Sequence, residues 1–406
     1  MAVGLKENTD LLPIKGLKLA ACSAGIYKNK RPDLALIACE HGTTVAAVFT
    51  RNAFCAAPVV VAKEHLDKGA PLLLLINAGN ANAGLGRAGY DAAIATCKYL
   101  SNLYDCHMEA ILPFSTGVIG EPLPVDKICN ALPGLLEQLS EINWLNVNKA
   151  ILTTDTVTKA ISRQITIGDQ PVSITGIAKG SGMIRPDMAT MLAFIGTDAA
   201  INTNILNNIL TDAVNKSFNQ ISVDGDTSTN DACVLIATGK SGIPLIDSAD
   251  SEAGVKFSEA FTDICVYLAQ AIVRDGEGAT KFVTLDIQNG RNSEECRKVA
   301  SAIAHSPLVK TALFASDPNW GRILAAIGRA GLVNLDVSNV SVYIGNTCFI
   351  DHGERSPDYT EMKGRELFQK EEIHIIVDLN RGKNNQKFWT CDFSYEYVRI
   401  NAEYRT

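Results

Sequence analysis

A mixed α/β chain is what the sequence predicts, because short apolar runs of strand type alternate with segments of helical period and no run approaches bilayer length. The most apolar patch, PLLLLI at 71–76, is far too short to span a membrane. With 47% hydrophobic and 20% charged residues over 406 positions, the chain can bury the core of one large domain or of two or three smaller ones.

In chain order, LALIACEHGTTVAAVFT (34–50) and LLLLINAG (72–79) read as strands, and YDAAIATCKYLSNLY (90–104) reads as an amphipathic helix. NILNNILTDAVNKSF (204–218) has the same helical period, and CVLIATG (233–239) returns to strand. SEAFTDICVYLAQAIVRDGEG (258–278) reads as a long amphipathic helix stopped by glycine. SEECRKVASAIAHS (293–306) is a helix with acidic residues in its first turn, where the helix dipole favours them. The end of the chain, from 371, alternates like two antiparallel strands joined by the polar RGKNNQ turn. No repeat, low-complexity segment or flexible linker marks a domain boundary.

Charge and composition exclude several functions. The net charge of −7, with no dense Lys/Arg block, argues against nucleic acid as the main partner and for a small-molecule substrate. MAVGLKENTD has no apolar run behind a basic start, so a cytoplasmic location is expected. The 11 cysteines include no CxxC pair and read as reduced packing residues. The six histidines have no metal-ligand spacing, so no metal is expected and any nucleophile should work without a histidine base.

Three local patterns carry less than they suggest. DGDTSTND (224–231) resembles a calcium loop but has Thr229 at the glycine position and Leu235 at the glutamate position. KGSG (179–182) places its lysine before the glycines, the reverse of a phosphate loop. NAGNANAG (77–84) is either an amide-rich substrate cradle or a tight turn of residues that tolerate positive φ.

KGSGMIRPDMATMLAF (179–194) is different. The Thr190 hydroxyl, after the small Ala189 and a glycine-rich loop, can attack the Ala189 carbonyl and turn the amide into an ester. Hydrolysis would free an N-terminal threonine whose amine, with a pKa of roughly 7.7–8.0, serves as its own general base.

This segment closely resembles the self-cleaving segment of the ornithine acetyltransferase family, the bifunctional glutamate N-acetyltransferases of arginine biosynthesis. DLALIA, AAPV, INAGNANA, PFSTGVIGEPLP, TTDT, SVDGDTSTND, DGEGATK, DPNWGRILAAIGRAG and YVRINAEYRT follow in family order, so the resemblance runs from near residue 13 to the last residue. It implies cleavage between Ala189 and Thr190 into an α chain (1–189) and a β chain (190–406) that pair as α2β2. It implies a ping-pong reaction in which Thr190 takes acetyl from N2-acetyl-L-ornithine and passes it to L-glutamate. Thr116 and Gly117 are similar to the family's oxyanion hole. Thr156, Lys179, Thr190, Glu277, Asn401 and Thr406 fall on its substrate-binding positions. On charge, Lys179 would meet a substrate carboxylate, Glu277 an ammonium, and the neutral residues would add hydrogen bonds.

The implied fold is a layered αββα arrangement, similar to the N-terminal nucleophile hydrolases but distinct in connectivity. No cofactor is implied; family members differ in whether acetyl-CoA is a co-substrate, and no motif for it stands out. Arg185 and Asp187 depart from the family pattern, where small or neutral residues are frequent, and both bear on the rate of cleavage. Two rival readings are a self-processing aminopeptidase or amide hydrolase, and a binding protein in which residues 189 and 190 stay joined.

Overall fold

The two apolar runs near the N-terminus do not share a sheet. In the computed structural model, which describes residues 2–185 and 191–403, the run 34–50 turns at Glu40–Thr43 and sends its halves to different sheets. Asp187, Ala189, Thr190 and Thr406 lie outside the described residues. One sheet has four strands, in the spatial order Leu17–Cys22, Leu34–Cys39, Leu73–Asn80, Ile111–Val118. The other has five: Thr44–Phe49, Ala232–Ala237, Leu192–Thr197, Gln170–Lys179, Lys159–Ile167.

The two sheets face each other. Leu19, Ile37, Leu74 and Phe114 from the first pack with Ile177, Phe194, Val234 and Ile236 from the second in one buried cluster. The outer face of the first sheet is covered by Gly86–Tyr104 and Val125–Leu136, through Cys97, Leu100, Ile128 and Leu132. Thr203–Lys216 and Glu252–Arg274 cover the outer face of the second through Leu206, Leu210, Phe257, Phe261 and Ile264. Helix, sheet, sheet and helix thus stack in four layers, as expected. Burial on both faces explains why LALIAC reads as a continuous apolar run rather than an alternating one.

A third sheet was not foreseen. Its seven strands run in the order Glu354–Arg355, Thr347–Asp351, Ser341–Ile344, Glu372–Asp378, Phe282–Gly290, Asn384–Cys391, Ile221–Ser222. Helices Ser293–Ala304 and Trp320–Gly328 close a separate core against it through Val299, Ile303, Ile323 and Ile327. The two C-terminal strands exist and run in opposite directions, but they are not neighbours. Phe282–Gly290 lies between them, parallel to one and antiparallel to the other. The RGKNNQ segment crosses the end of that inserted strand, where Arg381 N and Gly382 N donate to Asn289 O at 2.8 and 2.7 Å.

The predicted helices form close to where their caps and periodicity place them. Glu252–Arg274 begins earlier than its apolar period suggested, because Ser251 caps it by accepting from Gly254 N, and it ends just before Asp275-Gly276. Asn292 caps Ser293–Ala304, with Glu294 and Glu295 in the first turn. Among the described residues no helix is long and apolar enough to cross a membrane. Burial pushes the thiols of Cys39 and Cys97 up to about 12, which suits packing and not nucleophilic work.

Candidate active site

The strands Ile111–Val118 and Gln170–Lys179 end beside a cleft of about 250 Å³, and each delivers a predicted residue to it. Thr116 and Gly117 come from the first strand, and Lys179 is the last residue of the second. Glu277 and Asn401 complete the wall from two further elements. Of the expected substrate residues within the described part, only Thr156 does not line this cleft; Thr153 and Thr154 do so instead.

Thr156 turns away for a reason visible in its bonds. Its amide N donates to Asp275 Oδ2 at 3.0 Å, and its hydroxyl donates to Asp275 Oδ1. It therefore holds the carboxylate two residues before Glu277.

Gly117 has φ of +131°, and a Cβ there would overlap the backbone of Gly79 and Asn80 on the neighbouring strand. Glycine is required by that close approach as well as by the backbone angle. Beside it, Lys179 Nζ donates to Thr116 Oγ1 at 3.1 Å. The threonine oxygen accepts this bond, so its own hydrogen is left for another acceptor, as an oxyanion hole requires. Asn230 locks the strand end from behind, its Nδ2 donating to Ala81 O at 2.6 Å and Ser115 O at 3.0 Å.

Lys179 is buried, and burial lowers its proton affinity despite nearby Asp155, Asp231 and Glu277. Opposite it, Glu277 Oε2 accepts from Asn401 Nδ2 at 2.8 Å. A Cβ on Gly182 would overlap the Glu277 carboxylate, so a larger residue there would push that side chain aside. The cleft therefore offers a cation and a carboxylate separately, which suits an amino-acid substrate with groups of both signs.

Below the cleft lies an ionic cluster that sequence reading missed. Lys159 Nζ sits 2.6 Å from Asp155 Oδ1 and 2.6 Å from Asp275 Oδ2, and all three side chains are inaccessible to solvent. Burial alone would raise the Asp155 pKa, but Lys159 and Lys179 outweigh it and hold the carboxyl well below the usual range. Asp155 Oδ1 also accepts from Gly180 N at 2.7 Å, and Ser181 Oγ donates to Asp275 O at 2.5 Å. These bonds fix the KGSG loop. The only hint in the sequence was a charged TTDTVTK segment feeding directly into a strand.

Asp231 contrasts with that cluster. It is 3% exposed, its Oδ2 has no hydrogen-bond partner among the described residues, and burial raises its pKa well above the ordinary value. It lines a second small cavity with Thr116, Lys179, Ile184, Met191 and Leu192. The side-chain amides of the NAGNANAG segment tie it to itself and to neighbouring backbone, and none of the three asparagines lines the cleft. Asn77 Nδ2 donates to Asn80 O, Asn80 Nδ2 to Glu121 O and Pro122 O, and Asn82 Nδ2 to Gly89 O. In DGDTSTND, Asp224 accepts from Met183 N at 2.6 Å and Ile184 N at 2.9 Å.

The model of the ArgJ family matches residues 18–406. The chain is 53% identical over 406 residues to the arginine biosynthesis bifunctional protein ArgJ of Pseudomonas fluorescens, covering 100% of both. It is 52% identical to the protein of the same name from Pseudomonas syringae pv. tomato, again over 100% of both. Among solved structures, the arginine biosynthesis bifunctional protein ArgJ of Bacillus halodurans is 38% identical with a TM-score of 0.50, over 53% of this chain and 100% of that one.

Proposed function

The chain belongs to the ArgJ family, and we propose that it cleaves itself before Thr190 and then carries acetyl from N2-acetylornithine to glutamate as an ester on that threonine. The observation that carries this reading is the Lys179-to-Thr116 hydrogen bond beside Gly117, which leaves a hydroxyl donor facing a cleft with a cation and a carboxylate. Met191, covalently next to Thr190, lines the same small cavity as Thr116 and Lys179.

In self-processing, Thr190 Oγ attacks the Ala189 carbonyl carbon, the peptide nitrogen leaves as an amine, and water hydrolyses the resulting ester. In the first half-reaction, the free amine takes the Oγ proton as Oγ attacks the acetyl carbonyl. Thr116 O–H and Gly117 N–H stabilise the oxyanion, and ornithine leaves after its nitrogen receives that proton. In the second half, the glutamate amine attacks the acetyl ester and restores the Thr190 hydroxyl. Lys179 is assigned to a substrate carboxylate and Glu277, steadied by Asn401, to an ammonium; Thr406 is assigned a neutral hydrogen bond at the same site.

The strands flanking the cleavage point, Gln170–Lys179 and Leu192–Thr197, are antiparallel neighbours in one sheet. Chains 1–189 and 190–406 would therefore share a core and stay associated, consistent with an α2β2 assembly in the cytoplasm. The word bifunctional in the relatives' names supports acetyl-CoA as a second acetyl donor. No metal or resident cofactor is assigned.

Intact mass under denaturing conditions, before and after brief incubation with N2-acetylornithine, tests the reading. Two chains are expected, the second starting at Thr190 and gaining one acetyl group. Two chains without that gain would favour an amide hydrolase, and one uncut, unmodified chain would overturn the nucleophile assignment.

A further inference from the structure

The small cavity that adjoins the cleft has a volume of about 30 Å³. It shares Thr116, Lys179 and Ser228 with the cleft and adds Met191 and Asp231. A water needs roughly 10–15 Å³ of such space, so the cavity has room for about one or two waters and is too small for an amino acid.

Its polar wall has capacity to spare. Asp231 is 3% exposed, and its Oδ2 accepts no hydrogen bond from the described residues. Lys179 Nζ gives one of its three hydrogens to Thr116 Oγ1 at 3.1 Å. Ser228 Oγ accepts from Asn230 N at 3.2 Å, which leaves its own hydrogen for another acceptor. A buried carboxylate oxygen without a donor is costly, and a water is the smallest ligand that supplies one. Burial raises the proton affinity of Asp231, and the Ser228 hydroxyl and the Lys179 charge only partly offset that.

The position of Asp231 follows from strand register. Ala232 N donates to Met191 O at 2.9 Å, and Ala232 stands opposite Leu192 in the parallel ladder between Leu192–Thr197 and Ala232–Ala237. Asp231 is thus the register neighbour of Met191. Consecutive Cα atoms lie about 3.8 Å apart, so the nucleophile Thr190 is attached directly to a residue in the wall of this cavity.

We propose that the cavity holds the water that completes self-cleavage, with Asp231 as its general base. The assignment rests on the self-processing reading above. Once Thr190 Oγ carries the acyl group of Ala189, the water oxygen attacks the ester carbonyl carbon while Asp231 takes one of its protons. The bond from that carbon to Thr190 Oγ breaks, and Asp231 passes the proton to Oγ. The second water proton stays on the new Ala189 carboxyl, which ionises and protonates the freed Thr190 amine. A raised proton affinity suits this role, because a base works best when its pKa approaches the working pH.

The experiment makes wild type and Asp231→Asn by cell-free synthesis and follows cleavage by intact mass, with and without neutral hydroxylamine. Hydroxylamine splits esters without help from a base and leaves ordinary amides intact. Asp231→Asn should be cut about 10²-fold more slowly than wild type. Hydroxylamine should restore cleavage between Ala189 and Thr190, leaving a hydroxamate on Ala189. Cleavage of the variant at the wild-type rate would overturn the proposal. So would slow cleavage that hydroxylamine does not speed, since Asp231 would then act before the ester forms. Asp231→Ser, smaller and equally without a base, repeats the test if the asparagine variant folds poorly, and should show the same loss and the same rescue. A wild-type chain that stays uncut in both conditions would remove the self-processing reading and this proposal with it, whereas a cut wild type beside an equally fast variant removes this proposal alone.

Discussion

Two buried charge sites lie side by side in this molecule, and they are resolved in opposite ways. Around Lys159 every oxygen is answered: two carboxylates at 2.6 Å flank one ammonium, and their other oxygens accept from Thr153 N and the Thr156 hydroxyl. Along the cleft wall the answer is incomplete. Lys179 touches a neutral hydroxyl, and Asp231 leaves Oδ2 without a partner among the described residues. Burial consequently lowers the lysine's proton affinity and raises the aspartate's. The matched cluster is a scaffold that fixes the KGSG loop, while Lys179 and Asp231 keep hydrogen-bonding capacity that the described residues do not use.

Breaking the matched cluster should have the largest effect. Lys159→Met leaves two carboxylates buried without their cation and should cost about 3–5 kcal/mol, read as a lower urea-unfolding midpoint. Adding Asp275→Asn should recover part of that loss; no recovery would mean that the lysine stabilises by packing alone. On the cleft wall, Thr116→Val should lower kcat about 10²- to 10³-fold, with a smaller drop in unfolding midpoint than Lys159→Met because Lys179 Nζ loses an acceptor. A rate within a few-fold of wild type would remove Thr116 from the oxyanion hole.

The smallest effect sharpens the comparison by its sign. A carboxyl whose folded pKa is raised contributes stability at low pH that is lost as pH rises through the folded value. The destabilisation from Asp231 therefore grows from the ordinary aspartate range near 4 upward. Asp231→Asn, of nearly the same shape and uncharged, should gain stability relative to wild type as pH rises from 4 towards 8, by urea midpoints at each pH. A constant difference across that range would show that Asp231 is ionised in the fold.

Local chemistry was legible wherever the responsible forces are local. The helices at 204–218 and 293–306 announce themselves because amphipathic period and caps act within a few residues. Strand partners were not legible. Alternation at 372–391 says which side chains share a face but not that Phe282–Gly290 intervenes, since pairing is decided by a hydrogen-bonded neighbour over 80 residues away in sequence. The same limit explains Thr156. TTDT placed a hydroxyl near the site, but only the fold shows Asp275 capturing it.

By itself the sequence determined the α/β class, the main helices, the glycine-rich segment before Thr190 and the family to which the chain belongs. Only the tertiary structure decided that Lys179 donates to Thr116, that Asn401 steadies Glu277, and that Asp155, Lys159 and Asp275 form one ion cluster. The reason is physical. Propensity and motif act over a few bonds, whereas the energy of a buried charge is set by desolvation and by partners that only the folded chain brings within hydrogen-bond reach.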